Sequence, residues 1–126
     1  EVNGRAVDLL AYAAANRDSL VIKPTNDYGG RGVILGWECD QAAWDAALSA
    51  GLQTPAIVQK RVPVPQANFP SIVDGRLDLS PRLVDVDPYV WGCADIAGGG
   101  VRLSTSSLLN VSAGDGSAAP LFVIDR

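Results

Sequence analysis

The chain has no histidine, no methionine and only two cysteines among its 126 residues. The absence of histidine excludes Ser-His-Asp and Cys-His catalysis, histidine metal sites and a histidine pH switch. Cys39 and Cys93 are too few for a disulfide scaffold or a structural zinc site. Because a translation product starts with methionine, we expect residues 1–126 to be a fragment of a longer protein, with a processed secreted chain as the alternative.

Positive charge and long apolar runs are also scarce. The formal net charge is −4 and the pI is about 4.5, which argues against a general nucleic-acid binder. No apolar run approaches the roughly 20 residues that a membrane helix needs, and no signal-peptide pattern opens the chain. We therefore expect no nucleic-acid partner, no membrane segment and a cytoplasmic parent protein.

Two segments have the apolar spacing of helices. The first covers roughly residues 5–16, where apolar side chains recur every three or four positions. In the second, Asp40 stands at a helix N-cap, Trp44 belongs to an apolar stripe, and Gly51 occupies the position expected of a C′ glycine. These patterns predict two amphipathic helices.

Most other apolar runs predict short strands, at residues 20–22, 33–35, 56–58, 81–87, 89–91, 101–104, 108–111 and 121–124. Three prolines, Pro63, Pro65 and Pro70, predict an edge strand or a connecting loop rather than a central strand. Glycines 98–100 are expected to separate strands, either as a turn or as an anion-binding nest. The predicted fold is α+β, a single domain over residues 1–126 with two helices packed on a mostly antiparallel sheet.

The most informative segment is Val-Ile-Lys-Pro-Thr-Asn-Asp-Tyr-Gly-Gly-Arg-Gly-Val at residues 21–33. Lys23 follows a buried apolar run, so its stem is packed and its ammonium points outward. The glycines after it let backbone N–H groups approach an anion closely. An ordinary hairpin with a flexible tip and a surface lysine is the alternative. The combination of strand, lysine, proline and glycine loop favours phosphate binding. In that case we expect residues 26–31 to be mobile without nucleotide.

Two further segments are open to more than one interpretation. Residues 57–62 form an apolar strand that ends in polar residues before a proline. This pattern fits either a hinge whose backbone N–H and C=O groups bind the edge of a ligand such as adenine, or a simple strand end. Asp85 and Asp87 share one face of a strand and could bind Mg²⁺, although a solvated strand face is the favoured interpretation.

Four motifs follow one another along the chain, and both their sequences and their order are informative. They are Val-Ile-Lys-Pro with Asp-Tyr-Gly-Gly-Arg-Gly-Val, then Ile-Val-Gln at 57–59, Gly-Gly-Val-Arg-Leu at 99–103 and Leu-Asn-Val-Ser-Ala-Gly-Asp-Gly at 109–116. This series resembles the C-terminal part of the circularly permuted ATP-grasp family, which includes proteins similar to glutathionylspermidine synthase. The resemblance covers about residues 20–124 and implies an ATP-grasp-like subdomain.

The resemblance also implies the site residues. Arg102 would be catalytic, beside the transferred phosphate or an acyl phosphate, and on the same concave face as the lysine. The ATP-binding residues would be Lys23, Gly29, Gly30, Arg31, Gly32, Gln59, Lys60, Val62 and Asn110. Three positions depart from the family pattern: Lys60, Asp87 and Asp115. The Mg²⁺ ligands would precede the lysine strand, and residues 1–20 contain nothing similar to them.

The predicted function is the ATP-binding portion of a carboxylate–amine or carboxylate–thiol ligase. Its cofactors would be ATP and Mg²⁺, and its partners a small-molecule or peptide carboxylate and the remainder of the parent chain. The isolated fragment is expected to be inactive. The alternatives are a non-catalytic ATP-grasp-like module for binding or assembly, and a plain β-rich interaction domain.

Overall fold

The computed structural model describes residues 1–109, 111 and 116–124. Its fold is α+β, with two helices and antiparallel sheets, as predicted. The chain divides into two compact units, Glu1–Val62 and Pro63–Arg126. Both helices belong to the first unit, and each unit is described by itself.

The first unit is built around a three-stranded antiparallel sheet in the order β2-β1-β3, with β1 in the centre. Short 3₁₀ turns at Arg17–Ser19 and Gly36–Glu38 precede β1 and follow β2. The elements in chain order are α1 (Leu9–Ala15), β1 (Leu20–Pro24), β2 (Ile34–Leu35), α2 (Gln41–Gly51) and β3 (Ala56–Lys60). The predicted hairpin of β1 and β2 around a long glycine-rich connection is confirmed.

Side-chain caps set where the two helices begin. The Asp40 carboxylate accepts a hydrogen bond from Ala43 N at 2.8 Å, so the predicted N-cap of α2 is confirmed. Helix α1 begins at Leu9, later than predicted, because Asp8 is extended and caps the helix itself. Gly51 is not a C′ glycine: it is the last residue of α2, and Leu52 follows as the C-cap in a right-handed helical conformation.

The core of the first unit lies between the helices and one face of β1. Trp44 is fully buried, and its indole Nε1 donates to the carbonyl oxygen of Ala13 at 2.9 Å. Leu20 and Ile22 point into the same cluster. Because side chains alternate along a strand, Lys23 lies on the opposite face of the sheet.

In its described residues the second unit has only strands as regular elements. Four of them form an antiparallel sheet in the order β4-β7-β8-β9, and β5 pairs with β6 as a separate hairpin whose turn is Asp74-Gly75. The strands are β4 (Gln66–Asn68), β5 (Ser71–Val73), β6 (Arg76–Asp78), β7 (Pro81–Trp91), β8 (Asp95–Ser104) and β9 (Gly116–Phe122). β4 lies at the sheet edge between Pro65 and Pro70, so the expected edge strand is confirmed.

Three strand predictions need correction. Residues 81–87 and 89–91 belong to one strand, β7, with a register shift between Tyr89 and Val90. Pro88 is tolerated there because β4 pairs only with residues 81–83, so the missing N–H interrupts no second ladder. Glycines 98–100 form neither a turn nor a nest but lie inside β8. A Cβ on Gly99 would collide with the carbonyl oxygen of Asp87, so glycine allows the strands to approach.

The strand predicted over residues 108–111 is wrong where the structure describes it. Leu108, Leu109 and Val111 are not in a strand. The Ser106 hydroxyl donates to the carbonyl oxygen of Leu108 at 3.0 Å, and the Ser106 N–H donates to Ser104 Oγ at 3.0 Å. These local hydrogen bonds from serine side chains hold a turn in place of a ladder.

Candidate functional site

Lys23 and Gln59 lie on the same face of the first unit's sheet. In the β1–β3 register Lys23 is opposite Ile57 and Val21 is opposite Gln59, so the lysine and the glutamine are diagonal neighbours. This is the face turned away from α1 and α2. The Lys23 side chain is half-buried and makes no ion pair with any carboxylate in the described residues. The ammonium is therefore available to an anion.

The connection between β1 and β2 has the conformation that its glycines permit. Gly29, Gly30 and Gly32 have φ angles of 66°, 76° and 65°, in the left-handed region that favours glycine. At Gly32 a Cβ would also lie 2.8 Å from Cγ of Pro24, so a larger residue would displace the proline next to Lys23. This loop follows β1 directly, so its backbone amides come within a few residues of Lys23 along the chain.

Arg31 and Tyr28 stack on each other in the same loop. The guanidinium carbon of Arg31 lies 5.1 Å from the centroid of the Tyr28 ring, and both residues are exposed. No carboxylate of the described residues forms an ion pair with Arg31, so the loop carries an available cation of its own.

The predicted hinge residues do not all face the same way. Lys60 is opposite Leu20, which places its side chain on the helix-covered face, away from Gln59. Val62 follows the end of β3 and is exposed. Arg61 belongs to the predicted hinge at residues 57–62 but has no predicted site role of its own. By alternation its side chain lies on the face of Gln59, and the signal that could have singled it out is the two-residue spacing from Gln59.

Arg102 projects from β8 and is bound by two carboxylates. It is directly opposite Asp85 in the ladder and forms an ion pair with that residue, and its Nε lies 3.0 Å from Oδ2 of Asp87. All three side chains are partly exposed on one sheet face. The carboxylates fix the orientation of the guanidinium and offset its charge, which weakens its attraction for a phosphate.

No magnesium centre is apparent in the part of the chain that the structure describes, where no group of three or more His, Cys, Asp or Glu side chains comes together. The predicted pairing of Asp85 and Asp87 on one face is confirmed, but Arg102 binds both carboxylates. The pair therefore does not fit an open Mg²⁺ site. Asn110, predicted to bind nucleotide, and Asp115 lie outside the described residues.

A polar cluster joins the β5–β6 hairpin to β7. Arg82 donates from Nη2 to Asp78 Oδ2 at 3.1 Å and to Ser71 Oγ at 2.5 Å. The Ser80 hydroxyl donates to the same Asp78 oxygen at 2.6 Å. The Ser80 hydrogen bond, with help from Arg82, lowers the pKa of Asp78 below its ordinary value of 3.8. This cluster contains none of the predicted site residues and links the β5–β6 hairpin to β7.

An open cavity of about 250 Å³ lies between α2 and the first unit's sheet. Its lining is almost entirely apolar and includes Ile22, Pro24, Ala47 and Ala56. Ile22 and Pro24 are on the helix-covered face of β1, so this cavity is on the other side of the sheet from Lys23 and Gln59. Lys23 and Gln59 do not line it, whereas Gly32 of the glycine loop does.

The structure thus brings Lys23 and Gln59 together on one sheet face of the first unit, with the glycine loop joined to the end of the lysine strand, whereas Arg102 belongs to the second unit. The expectation that Lys23 and Arg102 share one concave face remains a prediction. No described helix is long and apolar enough to cross a membrane. No protein-family model matches the chain, and neither curated proteins nor solved structures provide a match.

Proposed function

We propose that the chain is the ATP-binding portion of an ATP-grasp ligase-like protein that activates a carboxylate as an acyl phosphate for an amine or thiol. The observation that carries the proposal is the arrangement in the first unit: Lys23, available to an anion, shares a sheet face with Gln59 and is joined to a loop of left-handed glycines. A cation beside backbone amides is suited to hold a polyphosphate.

In this proposal the chain contributes position and charge. Lys23 neutralises phosphate oxygens, the amides around Gly29, Gly30 and Gly32 approach them without side-chain interference, and Gln59 contacts the nucleoside end. Mg²⁺ would neutralise phosphate charge, and its ligands would come from segments that precede Lys23 in the parent protein. The carboxylate and the nucleophile would be small molecules or peptides.

A non-catalytic binding or assembly module is the second candidate, and the ion pairs of Arg102 favour it. A guanidinium that is already bound by Asp85 and Asp87 has to exchange those partners before it can stabilise a phosphoryl group. In such a module the nucleotide would bind to the first unit without turnover.

Calorimetric titration of ATP tests the proposal. The chain should bind ATP weakly, Lys23→Ala should abolish binding, and Lys60→Ala, which removes a neighbouring cation from the other sheet face, should retain it within about twofold. The full-length parent should bind ATP more tightly. If Lys23→Ala binds ATP as well as the unchanged chain, or the parent binds none, the proposal is wrong.

Hydrolysis measurements separate the two candidates. The chain alone should release no phosphate from ATP, because no magnesium centre is found in its described residues and water would reach the phosphates. The parent should hydrolyse or transfer phosphate if it is a ligase and should only bind ATP if it is a module. Robust Mg²⁺-dependent hydrolysis by the chain alone would mean that a metal site exists within it, with Asp85 and Asp87 as the first residues to substitute.

A further inference from the structure

Arg61 and Trp37 form a stacked pair at one end of the sheet face that carries Lys23. The guanidinium carbon of Arg61 lies 4.0 Å from the centroid of the Trp37 ring. The main chain at Arg61 is fixed, since its N–H donates to the carbonyl oxygen of Ser19 at 2.8 Å and extends the β1–β3 ladder by one residue pair. The pair therefore occupies a defined place beside β3.

The outer side of this stack is open. Arg61 is exposed whereas Trp37 is half-buried, so the indole is the inner layer and the guanidinium is the outer one. The neighbouring carboxylate, Glu38, accepts a hydrogen bond from Trp37 Nε1 at 3.2 Å and forms no ion pair with Arg61. Among the described residues, the guanidinium thus has no anionic partner, and the Arg61 side chain is exposed.

The position of the stack relative to Lys23 matches the length of a nucleotide. Lys23 is opposite Ile57, and Arg61 is four residues farther along the same strand direction, which corresponds to about 13 Å. Gln59 lies between them on the same face. One nucleotide could place its phosphates at Lys23 and its base at Arg61.

We propose that the Arg61–Trp37 stack is the platform on which the purine base of the nucleotide lies. The inference rests on the proposed nucleotide function and adds to it a residue that contacts the flat face of the base. Guanidinium planes and aromatic rings both stack on bases, and an arginine held flat by tryptophan is already ordered for that contact. Adenine and guanine differ in the groups at the edge of the ring, which a contact to the ring face does not touch. Stacking on Arg61 should therefore increase the affinity for both bases equally.

The test compares ATP, GTP and inorganic tripolyphosphate, titrated calorimetrically into this chain and the full-length parent. Arg61→Ala should weaken ATP and GTP by the same factor, about fivefold or more, and leave tripolyphosphate unchanged. Arg61→Lys keeps the charge but loses the planar group, so it should behave like Arg61→Ala. Arg5→Ala is the matched control, because it removes an exposed arginine of the first unit that lies outside the sheet and should change none of the three. Thermal unfolding of each variant confirms that it is folded.

Each other outcome has a distinct meaning. Equal losses for ATP and tripolyphosphate in Arg61→Ala would make Arg61 a phosphate contact and overturn the stacking proposal. Unchanged ATP binding in both Arg61 variants would make the stack purely structural and would also overturn it, leaving the nucleotide function standing. If the unchanged chain and the parent bind neither ATP nor tripolyphosphate, the proposed function itself is wrong and the stacking proposal is overturned with it.

Discussion

Trp44 links the two helices of the first unit through one side chain. It is the largest fully buried side chain in the described residues, and its indole N–H is satisfied by the carbonyl oxygen of Ala13 in α1. A buried indole without such a partner would cost stability, so the hydrogen bond and the packing depend on each other. The position requires tryptophan rather than any large apolar residue.

We expect Trp44→Phe to destabilise the first unit by about 2–3 kcal/mol, because it leaves a cavity and removes the hydrogen bond to Ala13. Trp37→Phe is the matched control. The Trp37 indole N–H donates to the exposed Glu38 and its ring contacts Arg61; because phenylalanine keeps an aromatic ring there, the substitution should cost less than about 1 kcal/mol. Denaturant unfolding followed by circular dichroism measures both. Equal losses in the two variants would contradict the role assigned to Trp44.

Asp78 makes the second unit sensitive to acid. Its pKa is lowered in the folded protein, chiefly by the Ser80 hydrogen bond, so the carboxylate stabilises the fold above the ordinary value of 3.8. That contribution is lost as the pH falls through the lowered pKa. We expect Asp78→Asn to be less stable than the unchanged chain at neutral pH and to lose less stability on acidification. Ser80→Ala should lose an intermediate amount of stability on acidification.

Denaturant midpoints measured from about pH 6 down to about pH 2 provide the comparison for Asp78. Parallel curves for the unchanged chain and Asp78→Asn would show that this carboxylate does not contribute to the acid sensitivity.

At the scale of elements, two glycines at the ends of elements differ in how closely the neighbouring backbone approaches them. Gly36, at the end of the β1–β2 hairpin, is buried, and a Cβ there would collide with the carbonyl oxygen of Arg17 and lie 2.8 Å from that of Leu20. Gly51, the last residue of α2, would place a Cβ 3.5 Å from that of Ala56, an ordinary contact. Close backbone packing therefore explains why position 36 is a glycine, but it does not explain the glycine at position 51.

We expect Gly36→Ala to destabilise the first unit by about 2 kcal/mol or more, because the backbone of the 3₁₀ turn has to move. Gly51→Ala should stabilise the same unit by about 0.5–1 kcal/mol, since alanine favours the helix and fits the space. Thermal unfolding of both variants tests the pair. A stabilising effect of Gly36→Ala would contradict the close approach seen in the structure.

Local sequence signals located most elements of the first unit but misjudged the second. Asp40 predicted the start of α2 because a cap acts within one helical turn. The separate strands predicted at residues 81–87 and 89–91 are one strand, β7, and the sequence does not show that β4 ends before it reaches Pro88. The glycines of β8 wrongly predicted a turn for the same reason: the nearness of the neighbouring strand is a property of the pairing.

At the scale of the whole molecule, burial is concentrated in a few elements. Residues 20–22 of β1 are buried, and Val21 and Ile22 pair with strands on both sides, whereas β5 and β6 pair only with each other. We expect the amides of residues 20–22 to exchange slowest in the first unit and those of the β5–β6 hairpin to exchange early. Hydrogen exchange with mass spectrometry measures this order. Equal protection of β1 and the hairpin would contradict it.

The sequence by itself determined the lysine strand, the glycine loop and the hinge strand, because each depends on residues within a few positions of one another. It could not place Gln59 beside Lys23, turn Lys60 to the other face or bring Arg61 onto Trp37, since those relations follow from the register between β1 and β3. It also could not show that Asp85 and Asp87 bind Arg102. Register and pairing join residues that are distant in the chain, so only the tertiary structure decided which charges meet.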